Sequence, residues 1–240
     1  MITLSTAEFL ISFLTFLLAY VLVVTFAGSF RAWTANAMGD DTAQSLGYAA
    51  LNPFMHVDAF GIIVLVLFLT TPLQFVWRKY IPINPTNIIG KFRGPKLFFA
   101  YFSDVLAYFA FSSIAIALLL AFFGPTILVL SADMMLQGFV SQSRLALAYP
   151  EASSMLISCT LILVAIVFLS VFLAALDIIF SGFEMAMTVF GYSPYMFMLN
   201  WYSMILIYIA WVLLFSVLRI FVIQTVVKLG YILAHVFGVV

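Results

Sequence analysis

From Phe9 to Phe30 the chain reads FLISFLTFLLAYVLVVTFAGSF, a stretch without a charge. Crossing roughly 30 Å of hydrocarbon takes about 20 predominantly apolar residues, so this stretch alone predicts a transmembrane helix. It is longer than the apolar core of a removable signal, follows no basic segment and lacks a small-residue cleavage site; a retained helix is therefore expected. Three other stretches reach the same length. Leu97 to Phe123 carries only Asp104, and Ser153 to Phe180 only Asp177. Met185 to Leu218 is uncharged, with Pro194 predicting a turn before a helix that begins near Tyr195. A fifth run, Phe60 to Trp77, is short and interrupted by Thr70, Thr71 and Pro72. It either crosses or turns back, and turning back requires that neighbouring helices wall its backbone from lipid.

These runs predict an all-α, polytopic helical membrane protein: four transmembrane helices plus one short span or re-entrant segment. Residues 1–240 form one integral membrane domain, with the first helix, loops and short run in 1–96 and the remaining helices in 97–240. Composition agrees. Apolar residues make up 66% of the chain and charged residues 8%, with mean hydropathy +1.25; a soluble domain is about half apolar and a quarter charged. Nine basic residues balance nine acidic ones, so no basic field exists to collect nucleic acid. Cys159 is the single cysteine, which rules out an internal disulfide and any cysteine-based zinc motif.

Five of the nine basic residues, Arg78, Lys79, Lys91, Arg93 and Lys96, fall between Trp77 and Leu97 and assign that loop to the cytoplasm. A re-entrant fifth run would put Arg31 on the same side and the Asp133 to Glu151 loop outside; a true span would put the Arg31 to Asp58 loop outside instead. Gly124 to Ser154 is too polar in its middle to cross and is expected to form an interfacial elbow. The tail from Arg219, with Lys228 and His235 among aliphatics, is expected to leave along the membrane surface. Trp77, Trp201 and Tyr202 suit interface belts.

Two Asn-Pro motifs lie between the first two long runs. The first is Leu51-Asn52-Pro53, followed by His56, Asp58 and Gly61. The second is Trp77-Arg78-Lys79-Tyr80-Ile81-Pro82-Ile83-Asn84-Pro85-Thr86-Asn87. A turn at Met38-Gly39-Asp40-Asp41-Thr42-Ala43 precedes them, and Phe92-Arg93-Gly94-Pro95 follows. This series resembles a compact bacterial branch of the site-2 protease family of intramembrane zinc metalloproteases. In that branch a Gly-Asp turn leads to Leu-Asn-Pro-x-x-His-x-Asp, an apolar segment, Trp-Ala-Lys-Pro-Val-Pro-Val-Asn-Pro and a Phe-Arg-Asn-Pro step. The resemblance covers the first half of the chain by motif and the second half by helix order. It implies a bacterial cytoplasmic membrane location.

The resemblance also implies a zinc site, from which this sequence departs. The family carries His-Glu-x-x-His on the first helix, where two imidazoles one turn apart bind zinc and the glutamate activates water. Counting back from Gly39, the equivalent positions are Ala27, Gly28, Ser29, Phe30 and Arg31. The third ligand, an aspartate in Leu-Asp-Gly, has no counterpart around Ser181, Gly182 and Phe183, although Glu184 stands near its place. Phe102, Ser103 and Asp104 replace an Ala-Gly-Pro helix opening. No catalytic, cofactor or metal residue is therefore assigned, and zinc is not expected.

The remaining polar residues carry two readings each. Asn52, Pro53, His56, Asp58, Trp77, Pro82, Asn84 and Pro85 are the family-motif residues. His56 and Asp58 are either a metal or proton-relay pair or a hydrogen-bonded clamp that positions the loop, the second being the commoner role of buried polar groups. Asp104, Asp177 and Glu184 form a candidate intramembrane polar site, since ionisable groups within a span are costly and face the protein interior or water. Asp177 and Glu184, seven apart on one helix face, either line a cavity or bind a cation, or else reach headgroup water.

The leading expectation is a site-2-protease-like protein without proteolytic activity that binds a membrane partner or substrate helix. Two other classes stay open: an unconventional membrane enzyme or cation-dependent carrier using His56, Asp58, Asp104 and Asp177, and a structural subunit of a membrane complex. Partners are the lipid bilayer and other membrane proteins, and not nucleic acid.

Overall fold

A computed structural model of the chain describes residues 6–70, 76–137 and 141–192, together with Gln224, Lys228, Ile232 and His235. All regular elements among them are helical. The first, α1, spans Thr6–Met38; two single turns, α2 (Thr42–Ser45) and α3 (Pro53–His56), lead to α4 (Ala59–Thr70). A long helix α5 (Arg93–Phe123) is followed by the short α6 (Thr126–Gln137) and α7 (Gln142–Ala148), and then by α8 (Ser154–Val189).

Three helices, α1, α5 and α8, are long and apolar enough to cross a membrane. Each reaches beyond its apolar run, and capping chemistry explains where two of them stop. At the end of α1 the Gly39 N–H bonds the Asn36 carbonyl and the Asp40 N–H the Ala35 carbonyl, with Gly39 at φ 110. This is a Schellman motif, whose left-handed residue strongly favours glycine. Helix α8 ends the same way, through Gly191 (φ 80) bonding Thr188 and Tyr192 bonding Met187. That end corrects one expected boundary. The third stretch, expected to end at Phe180, runs on as α8 to Val189 and takes in the start of the Met185 to Leu218 stretch, because no helix breaker stands between Phe180 and Gly191, and Gly182 is accommodated within the helix. The rest of the expected fourth span, including Pro194, Tyr195, Trp201 and Tyr202, and most of the tail from Arg219 lie outside the described residues.

The three long helices pack against one another. Leu10, Leu14, Leu18 and Leu22, four apart on α1, are exposed, while Ser12, Phe16, Ala19, Tyr20, Val23 and Ala27 are buried. In lipid, leucine gains nothing by turning inward, whereas small and polar residues allow close helix contact and hydrogen bonding. The ends alternate. Glu8 near the start of α1 accepts from Ser141 and Ser143 at the start of α7, in the connection that follows α5, and Asp40 just past α1 bonds the Asn84 to Asn87 loop before α5 begins.

The short run is resolved by its own ends. Helix α4 has 12 residues, about 18 Å at helical rise and short of the roughly 30 Å hydrocarbon core. The Trp77 indole N–H donates to Asp58 at 3.2 Å, and the Phe60 and Trp77 rings meet edge to face at 5.3 Å. A segment whose two ends touch does not cross once; it is re-entrant. Helix α1 walls one side, since the Tyr20 hydroxyl donates to the Trp77 carbonyl at 2.7 Å and Gly61 lies so close to Tyr20 that a Cβ would collide with its hydroxyl. Gly124 to Ser154 forms α6 and α7, both too short to span, with Ile127, Leu128, Met134 and Leu145 turned into the core.

Candidate functional site

The two Asn-Pro motifs and the Gly-Asp turn are held together by three neutral or half-neutral clamps. In the first, the Asp40 carboxylate, fully buried, accepts from the Thr42 N–H, the Asn87 amide at 2.9 Å and the Asn84 N–H at 2.7 Å. Asn84 in turn caps its own turn through Thr86, as asparagine does when its side chain mimics a backbone bend. Asp40 was not singled out from the sequence, although its place beside Gly39 was; only the fold shows the donors that converge on it.

In the second clamp, Asn52 caps α3 by accepting the Phe54 N–H at 3.1 Å, and Pro53 occupies the first helical position, where a missing N–H costs nothing. This turn presents His56 to α1. The Ser29 hydroxyl lies 3.0 Å from His56 Nε2 and donates to the Ala50 carbonyl at 2.9 Å, while Nε2 stands 3.1 Å from the same carbonyl. Burial, followed by the nearby Lys79 and Arg78 charges, holds the imidazole below its ordinary titration range against the backbone carbonyls that favour its charged form. Asp58 forms the third clamp, accepting from the Phe60 N–H and the Trp77 indole. His56 and Asp58 thus act on separate partners and are not joined to Asp104 or Asp177.

Asp104, Asp177 and Glu184 are brought together, with two partners that sequence reading had not assigned them. The Arg31 guanidinium, 1% exposed, donates through Nη1 to Asp104 at 2.7 Å and through Nη2 to Glu184 at 2.6 Å. Arg78 donates through Nη2 to the same Asp104 oxygen at 2.6 Å, and its Nε stands 2.6 Å from Asp177 Oδ2. The result is one alternating chain, Glu184, Arg31, Asp104, Arg78, Asp177, that ties α1, the segment after Trp77, α5 and α8. Neither Asp177 nor Glu184 reaches headgroup water; both are 1% exposed inside the bundle. Around the chain, the Ser181 hydroxyl and Arg31 share the Tyr101 carbonyl, and Tyr101 pairs with Thr188. Tyr80 faces Glu184, and burial with that carboxylate keeps its phenol proton well above the usual range.

The positions that the resemblance aligns with the zinc motif sit between these two regions. Ala27 offers no donor, and Gly28 is pressed so closely against the His56 ring and Ile81 that a Cβ there would collide with Nδ1. Arg31 already supplies a cation, held by two carboxylates. This donor set does not fit a zinc ion, which binds through imidazole, thiolate or free carboxylate. Among the described residues no group of three His, Cys, Asp or Glu side chains is disposed to hold a metal.

The chain is 38% identical over 69 residues to a Bacillus subtilis (strain 168) protein described as "Putative zinc metalloprotease YwhC". The match takes in 26% of this chain and 29% of that protein, so the chain spans less than a third of the curated relative it matches. No family model matches the chain. No solved structure matches it either.

Proposed function

We propose that this helical membrane protein is a site-2-protease-like scaffold, one membrane domain in the bacterial cytoplasmic membrane, that works without zinc and without peptide hydrolysis by binding a transmembrane partner. The local likeness to a protein described as a zinc metalloprotease supports the scaffold. The observation that carries the loss of proteolysis is Arg31: at the place of the second imidazole stands a guanidinium clasped by Asp104 and Glu184. A divalent ion there would have to displace a paired cation and approach it at close range, which like-charge repulsion in a low dielectric opposes. Without the metal no group activates water, since the glutamate position is Gly28 and the nearest imidazole, His56, is committed to Ser29 and Ala50. What the scaffold retains is lipid-facing apolar helix surface on α1, α5 and α8 for lateral contact with other spans. The test is elemental analysis with a cleavage assay on a transmembrane substrate, run beside photo-crosslinking from exposed α5 positions such as Phe109. The reading expects substoichiometric zinc, no cleavage and discrete crosslinks to another membrane protein. Stoichiometric zinc with cleavage overturns it.

A further inference from the structure

The alternating chain of ion pairs is charged unevenly. It holds two guanidiniums, Arg31 and Arg78, against three carboxylates, Asp104, Asp177 and Glu184. No further ion pair reaches these five residues among the described ones. Lys79 lies over the Tyr48 ring, and Lys96 and Arg93 bond backbone carbonyls. A carboxylate buried without a counter-charge costs several kcal/mol, and such groups ordinarily neutralise instead.

Geometry identifies the weakest member. Asp104 is contacted by both guanidiniums, and Glu184 takes a well-formed hydrogen bond from Arg31. Asp177 touches Arg78 at 2.6 Å, yet neither Arg78 Nε nor Asp177 Oδ2 completes a hydrogen bond there. The buried Tyr108 hydroxyl lies beside Asp177. Among the described residues, the titratable groups that face Asp177 are Arg31 from α1, Arg78, and Asp104 and Tyr108 from α5, with Glu184 two turns along its own helix.

We propose that the ion-pair chain is a binding site for one exchangeable proton, carried by Asp177 at the end of the chain. Uptake converts the Asp177 carboxylate to the acid, with no other bond broken, and leaves two cations balanced by two anions. Because the folded state holds a proton that the unfolded carboxylate has released, stability falls as pH rises through the release, about tenfold in the folding constant per pH unit. This inference is independent of whether the scaffold cleaves or binds.

The test is infrared spectroscopy of the full chain in lipid nanodiscs at neutral pH. A deuterium-sensitive protonated-carboxyl band is expected in the wild type and lost in Asp177→Asn, which mimics the neutral form. Glu184→Gln removes the surplus charge from the other end and is also expected to lose the band. Thermal stability should decline from neutral to alkaline pH in the wild type and stay flat in Asp177→Asn. Replacing sodium by choline at fixed ionic strength should change nothing. A wild type without the band, a band that survives either substitution, or sodium-dependent stability, which would mark an alkali cation instead, overturns the proposal.

Discussion

Ser29 and Arg31 stand two positions apart on α1 and so point to nearly opposite faces, and the polar structures they anchor are built on opposite principles. In the clamps, one of which Ser29 anchors, the hydrogen bonds run largely to backbone groups of nearby loops: Ala50, Phe60, Asn84. Around Arg31, full charges pair across residues 31, 78, 104, 177 and 184, and the Tyr101 carbonyl and Val105 N–H only supplement them. Clamps of the first kind position a loop and tolerate loss one at a time. A chain of the second kind is internally dependent, since each buried charge needs its neighbour to remain charged. The difference predicts that substitutions on the Arg31 side are the more damaging.

The largest effect should come from Arg31→Gln. It strands Glu184, whose Oε2 meets no other cation among the described residues, and halves the compensation of Asp104; breaking one partner of a buried pair costs about 3–5 kcal/mol. The yield of monodisperse protein and its thermal midpoint in detergent should fall sharply, and Arg31→Gln with Glu184→Gln should recover part of the loss. A double variant as poor as the single one would mean that the two residues do not act through each other.

Asp40→Ala is the test from the clamp side that comes nearest in size. It removes a charged acceptor from the Asn84 N–H and the Asn87 amide in a buried turn, where hydrogen bonds to charged groups contribute about 1.5–3 kcal/mol. The α1 to loop junction should loosen while the helix bundle persists, seen as faster hydrogen exchange confined to residues 39–42 and 83–88. Gly28→Ala should cost less, about 1–3 kcal/mol, the usual penalty of overpacking, since the new methyl pushes against the His56 ring and not against backbone. Thermal midpoints rank the two. A Gly28→Ala variant as damaged as Arg31→Gln would erase the contrast between the regions.

The sequence disclosed these regions unequally. Clamps could be located, because Gly39, Asn52, Pro53, His56, Asp58 and Asn84 lie in short motifs whose turn chemistry is local. Their closing bonds were less legible: that Trp77 returns to Asp58, making the short run re-entrant, depends on a contact across 19 positions. Spans were readable from hydropathy, yet α8's length was not, since Met185 to Val189 is as apolar as a new helix and only the Gly191 cap marks the end. The ion-pair chain was half visible. Asp104, Asp177 and Glu184 stand out as charges in oil, but Arg31 and Arg78 read as flanking loop charges until the re-entrant fold carries Arg78 back beside α5 and α8.

The smallest expected effect sharpens the comparison through pH. His56 is held neutral, first by burial and then by Lys79 and Arg78, so the folded imidazole binds a proton less readily than the unfolded one. Stability from this residue is therefore full above the ordinary imidazole range and is lost as pH falls through that range toward the folded value. The Asp177 proton runs in the opposite sense, its stability being lost as pH rises. Thermal unfolding followed from acid to alkaline pH should trace a maximum between the two limbs. His56→Asn should act chiefly on the acid limb and Asp177→Asn chiefly on the alkaline one, because their direct contacts differ, Ser29 and Ala50 for the imidazole and Arg78 for the carboxylate, while the Arg78 charge, which reaches both, leaves a smaller cross-effect. If either substitution moved both limbs equally, the regions would be one coupled network across α1.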